Sequence, residues 1–121
     1  MVFQPASIAL AHGEHYAGVI LKEDGTPDYH LVGLPGEIES ATWEEAKTWA
    51  KSIGGELPTL RELGLERVNG RKHFQSDWYW SSEAHSSDGY AWYQDFHDGD
   101  QICYGTSRKL RARAVRRLAI L

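Results

Sequence analysis

From residue 78 to residue 118 the chain alternates large rings with small or polar side chains. The first run is Trp78-Tyr79-Trp80-Ser81-Ser82 and the second is Tyr90-Ala91-Trp92-Tyr93-Gln94-Asp95-Phe96. A third, Arg111-Ala112-Arg113-Ala114-Val115-Arg116-Arg117, closes the segment, and Gly, Asp and Ser clusters separate the runs. Successive side chains on a strand point to opposite faces, so this is the pattern of short antiparallel strands with rings on one face and polar groups on the other. Strands are expected near 78–82, 90–96, 101–104 and 110–118, with Asp98-Gly99 as a tight hairpin turn. The pattern describes a binding scaffold and contains no reaction centre.

The first half reads differently. Residues 1–14 are weakly patterned. Residues 16–21 and 29–34 form a hairpin around the turn cluster Glu23-Asp24-Gly25-Thr26-Pro27-Asp28. Thr42-Trp43-Glu44-Glu45 is a capping box: the Thr hydroxyl accepts from the third helical N–H and the Glu carboxylate reaches back. Trp43, Ala46, Ala50 and Ile53 follow at helical spacing, and Gly54-Gly55 supplies the stop. Leu57-Pro58 is an extended link. Thr59-Leu60-Arg61-Glu62 is a second capping box, opening a short helix that runs to about Val68 and ends at Asn69-Gly70. Hairpin, two helices, then strands make an α+β domain, with two short helices packed on an antiparallel sheet. A chain of 121 residues is expected to be one domain, 1–121, with a hairpin region over 1–40 and a core over 41–118.

Charge and cysteine content narrow the function. The net charge of −4 opposes extended nucleic-acid binding. Six of the 13 Lys and Arg nevertheless fall between Arg108 and Arg117, which raises an anion site against a set of internal salt bridges. The single cysteine, Cys103, excludes an intramolecular disulfide and reads as a small buried hydrophobe. No signal-peptide pattern or membrane span is written in the sequence, so the expected location is a host cytoplasm or a virion, without membrane insertion.

Two segments together carry a resemblance. One is Ala41-Thr42-Trp43-Glu44-Glu45-Ala46 followed by Ile53-Gly54-Gly55-Glu56-Leu57-Pro58-Thr59-Leu60-Arg61-Glu62-Leu63. The other joins Tyr79-Trp80-Ser81-Ser82-Glu83, the 90–96 run and the 111–117 run. This resembles the Lcl C-terminal-like domain family, found in bacterial surface proteins and in phages and prophages. The resemblance implies a C-type lectin-like fold. It also implies recognition without catalysis, since some members are adhesins for sulfated polysaccharides. It is carried by residues 40–118, and fold is implied better than function.

The candidate ligand surface is therefore the loop 83–89, the hairpin 95–100 and the aromatics beside them. Tyr93, Gln94, Asp95, His97, Asp98 and Asp100 are the candidate contacts, with Arg111 and Arg113 adding anion affinity. The Asp95–Asp100 stretch lacks a Glu at the twelfth position of a calcium loop, and the six histidines show no zinc spacing, so no metal and no cofactor is expected. The expected function is a non-enzymatic phage or prophage module binding a host surface glycan or protein, with homo-oligomer formation in view. The alternative is an intracellular anti-defence protein, such as an anti-CRISPR inhibitor, binding a host defence protein or a signalling nucleotide. Its contacts would come from Glu37, Glu39, Glu44 and Glu45.

Overall fold

The computed structural model describes residues 8–121; the first seven residues of the weakly patterned 1–14 segment lie outside them. The chain is a small α+β protein with eight strands and two α-helices among the described residues. β1 (His15–Leu21) and β2 (Pro27–Gly33) form the expected hairpin. After β3 (Ile38–Ala41) come α1 (Trp43–Ser52) and α2 (Leu60–Asn69), then a 3-10 turn, Arg71–His73. β4 (Trp78–Ala84), β5 (Tyr90–Asp95) and β6 (Gln101–Gly105) form a meander. β7 (Leu110–Ala112) and β8 (Val115–Ala119) complete the chain.

Both capping boxes form. Thr42 Oγ1 accepts from Glu45 N at 3.3 Å while Glu45 Oε1 accepts from Thr42 N at 2.9 Å. The Thr59–Glu62 pair repeats this at 3.2 and 2.8 Å. Gly54, at φ 88°, stops α1. Its geometry is the left-handed one that a side chain disfavours.

The strands divide into two sheets, where the sequence pattern suggested one. The small sheet has the order β1-β2-β8 and the large one β3-β7-β4-β5-β6. The expected single strand over 110–118 is broken at Arg113-Ala114, because its two halves serve different sheets. β7 enters between β3 and β4, having passed β5 and β4. It therefore runs parallel to β4, with Tyr79 beside Arg111, a departure from an all-antiparallel sheet. β3, four residues with one large aliphatic, carries too little pattern to be read from sequence.

The large sheet is covered on both faces. On one, Trp80, Ala91 and Tyr93 pack with Ala46 and Ala50 of α1 and with Leu34, Leu57 and Leu110. On the other, Leu63 of α2 meets Phe74, Tyr79 and Phe96. Phe74 and Phe96 stack at 4.1 Å, and Tyr79 approaches both edge-on. Wholly buried Leu63 and Phe96 each contribute about 1.5–3 kcal/mol of transfer free energy. α2 also turns Leu65 toward the small sheet, against Ala17, Ile20, Leu31 and Val115. The helix thus lies between two sheets, and this explains why it has no single apolar stripe.

Candidate binding surface

The arginine run is the first candidate to resolve, and it is structural. Arg111 donates from Nη1 to Glu37 Oε2 at 2.6 Å and from Nε to Asp77 Oδ2 at 2.8 Å. Arg113 donates to the carbonyls of His73 and Leu34, both at 2.9 Å. Arg116 clasps Glu14 through two bonds and reaches the Ala9 carbonyl. Arg117 donates from Nε and Nη2 to Glu62 at 2.6 and 2.8 Å and from Nη1 to Glu56 at 2.8 Å. Ala112 and Ala114, which alternate with Arg111 and Arg113 in sequence, are buried. Both arginines are engaged by internal partners, Arg111 through Nη1 and Nε and Arg113 through both terminal nitrogens.

Two buried carboxylates on α2 were not legible as such in the sequence. Glu62 is fully buried and takes Tyr29 Oη–H at 2.5 Å and Thr59 N–H besides Arg117. Burial pushes its carboxyl up, but the donors from Arg117, Tyr29 and Thr59 outweigh that and hold it below the usual carboxylate range. Tyr29 is pushed up to about 12, first by burial and then by Glu62. One turn on, buried Glu66 bonds His15 Nε2 at 2.7 Å, and the His15 ring stacks on His73 at 3.8 Å. A Cβ on Gly33 would fall inside the His15 imidazole, and one on Gly70 would meet both Glu66 and His15. Those glycines are there to admit the ring.

The remaining candidates separate cleanly. Tyr93 is 3% exposed and belongs to the core of the large sheet. Gln94 is 1% exposed, donating to the Asp95 carbonyl and accepting from Gln101 Nε2. Both were candidate ligand contacts. They are interior because helices cover the sheet on both sides. The loop 83–89 shortens to a turn over 85–89, since β4 runs to Ala84. His85 N bonds the Tyr90 carbonyl across it, and His85 Nδ1 accepts from Ser87 N. Asp95, His97, Asp98 and Asp100 do sit together at the β5–β6 hairpin. Asp95 Oδ1 accepts from His97 N, and Asp98 Oδ1 accepts from Asp100 N. His97, Asp98 and Asp100 are exposed.

Next to that hairpin, past the area covered by α1, lies an aromatic face. Trp78 stacks on Tyr93 at 4.7 Å, and Tyr104 meets Trp78 edge-on at 5.5 Å. Trp78 Nε1 donates to Asp95 Oδ2 at 3.1 Å. Ile102 is 43% exposed beside them, and the Arg108 guanidinium lies 5.5 Å from the Tyr104 ring centre. The Tyr93 hydroxyl is pushed up by burial and then by Asp95, Tyr104, Asp98 and Asp100, so the acids at the hairpin act on this face. Trp78, Ile102, Tyr104 and Arg108 were not singled out from sequence. The signal was the pairing register, which sets Trp80 beside Tyr93 and Tyr93 beside Ile102, and so gathers these rings on one side.

Among the described residues, no group of three or more His, Cys, Asp or Glu is placed to hold a metal ion, and no helix is long and apolar enough to cross a membrane. A groove of about 520 Å³ between the β1–β2 hairpin and the start of α2 is lined in part by Tyr29, Leu60, Arg61 and Glu83. Several of its polar groups have internal partners: Tyr29 bonds Glu62, Arg61 bonds the Leu21 carbonyl, and Glu83 accepts from Leu60 N.

No family model matches the chain. Over 79 residues, 65% of the chain, it is 29% identical to a glutamyl-tRNA(Gln) amidotransferase subunit of Gluconobacter oxydans (strain 621H). The match spans 14% of that relative's length, too small a part to carry its activity across.

Proposed function

We propose that the chain is a non-enzymatic recognition module of phage or prophage origin, of the kind its Lcl C-terminal-like resemblance implies. Its ligand is an uncharged or amino-sugar glycan of a host surface. The observation that carries this reading is the half-buried ring face of Trp78 and Tyr104, bordered by Asp95, Asp98 and Asp100. Ring faces stack on the C–H faces of sugars, and carboxylates accept from hydroxyl or ammonium groups. A sulfated ligand is disfavoured because Arg111, Arg113, Arg116 and Arg117 are engaged internally. The acidic contacts of an anti-defence protein have less support. Glu37 is held by Tyr79 and Arg111, and Glu45 closes the cap of α1. Buried Glu62 fits the non-enzymatic reading, since donors from Arg117, Tyr29 and Thr59 hold its carboxyl low and it is not poised to move a proton.

The test is titration of the isotope-labelled chain with neutral, amino-sugar and sulfated oligosaccharides, followed by NMR. Shift changes confined to Trp78, Ile102, Tyr104 and the hairpin 95–100 are expected, with little dependence on salt for the neutral sugars. Tyr104→Ala should weaken binding at least tenfold while leaving the remaining spectrum in place. Binding of sulfated sugars alone, or shifts elsewhere, would overturn the reading.

A further inference from the structure

The outer edge of β6 is the least defended part of the large sheet. Edge strands are usually blunted by charge, proline, brevity or a bulge. The opposite edge, β3, is four residues long and carries Glu39, and the outer strand of the small sheet, β1, is bulged between Tyr16 and Gly18. β6 is Gln101-Ile102-Cys103-Tyr104-Gly105, without charge or proline, and no described strand pairs with its outer side.

The register shows which backbone groups are presented there. Asp95 N donates to Asp100 O, and Thr106 N donates to Gly89 O. With Tyr93 beside Ile102 and Ala91 beside Tyr104, the alternation of an antiparallel ladder turns the N–H and C=O of Ile102 and Tyr104 toward β5. Those of Gln101 and Cys103 point outward, as does the Gly105 N–H, while the Gly105 carbonyl accepts from Arg108 N at 3.0 Å.

We infer that this edge pairs antiparallel with β6 of a second copy, about a two-fold axis through Cys103. The register is self-complementary. Cys103 exchanges both backbone bonds with its counterpart, and on either side the Gly105 N–H donates to the Gln101 carbonyl of the other copy. Ile102 then faces Tyr104 of the second copy, the aliphatic–aromatic cross-strand pair that stabilises sheets. Charge decides for a second copy over an unrelated strand. Exposed Asp98 and Asp100 precede β6, and exposed Arg108 and Lys109 follow it. Antiparallel two-fold pairing sets the acidic end of each copy beside the basic end of the other. The large sheets join into one, and the ring faces of the two copies lie side by side. This inference stands on the strand edge; Ile102 and Tyr104 serve both the seam and the proposed glycan face, and Cys103→Pro, which replaces neither ring, separates the two.

Sedimentation of the full chain over a wide concentration range tests it. A reversible dimer of twice the monomer mass is expected, weakened by salt. Cys103→Pro removes an outward N–H and leaves the ladder to β5 intact. Ile102→Lys puts a charge into the seam. Each should raise the dimer dissociation constant at least tenfold while the amide spectrum shows a folded chain. A short bismaleimide should cross-link the unaltered native protein through Cys103, because hydrogen-bonded antiparallel partners set their Cβ atoms about 5.5 Å apart, farther than the ~3.5–4.5 Å a disulfide needs but within the linker's span. That arm holds whether or not either variant folds. A monomer at every concentration without native cross-linking, or a dimer indifferent to both substitutions, would overturn the inference.

Discussion

Replacing Arg117 with methionine isolates the buried carboxylate on α2, because it removes the guanidinium and keeps most of the stem. Native Glu62 receives two bonds from Arg117 at 2.6 and 2.8 Å and one each from Tyr29 and Thr59. Hydrogen bonds to charged groups contribute about 1.5–3 kcal/mol each. Breaking a buried pair from one side, which strands the other charge, costs about 3–5 kcal/mol. The link from Arg117 to exposed Glu56 adds little to this. With a urea slope of about 1.5 kcal/mol/M for a chain this size, the unfolding midpoint should fall by about 2–3 M. The pH response separates this cause from lost packing. In the native chain Glu62 is held low, so its contribution is present at neutral pH and is lost as pH falls through the lowered value. Without Arg117, burial becomes the dominant influence and raises the carboxyl, so acidification relieves the variant. The stability gap to wild type must narrow from pH 7 toward pH 5. Adding Glu62→Leu to Arg117→Met should recover part of the loss, with a coupling of at least about 1 kcal/mol. A loss below about 1 kcal/mol, a gap that widens on acidification, or strict additivity would refute the reasoning.

Two further outcomes follow from the His15 slot. Gly33→Ala places a methyl where the His15 ring lies, so it should destabilise by about 1–3 kcal/mol or more in the same urea assay. It should also displace the His15 and His73 ring resonances from their stacked positions; unchanged resonances would count against the slot. The second outcome concerns pH. His73 is lowered by burial, then by His15, Arg113 and Lys72, against an opposing pull from Glu66. The unfolded chain therefore binds the proton first, and stability should decline as pH falls from the ordinary imidazole value of about 6.5 through the lower folded one. Glu14, held low chiefly by Arg116, adds its own loss below the ordinary carboxylate range. Replacing His73 with glutamine should flatten the upper step alone, and a profile flat between pH 7 and 5 in the native protein would contradict this.

What could be read from the sequence was local. The Thr42 and Thr59 caps, the Gly54 stop and the three strands of the β4–β6 meander rest on contacts within a few residues, and all are present. Face assignment failed at Tyr93-Gln94 for a physical reason. Alternation separates inside from outside only where one face of a sheet meets water, and here α1 covers one side and α2 the other. Adjacent residues are consequently both buried. The second sheet was illegible because its third strand, β8, arrives from the far end of the chain to pair with β2. Glu62 read correctly as the closing residue of a capping box. That it also anchors Arg117, 55 positions away, leaves no trace in local spacing.

The arginine run unites these observations. An anion site would turn its forks to one side, toward a common ligand. Instead each arginine reaches a different stretch of chain: Arg111 the 37 and 77 loops, Arg113 the carbonyls at 34 and 73, Arg116 the 9–14 segment, and Arg117 the start of α2. Those stretches enclose the break at Arg113-Ala114, where the backbone leaves the large sheet for the small one. Broken strands expose carbonyls and shed ladder bonds, and guanidinium donors are suited to satisfying several acceptors at once. Four members of the basic cluster, Arg111, Arg113, Arg116 and Arg117, are thus the stitching of a strand shared by two sheets, while Arg108 and Lys109 stay exposed. On the proposed reading, with these four arginines engaged internally, recognition would fall to the rings and carboxylates around Trp78, Tyr104 and the β5–β6 hairpin.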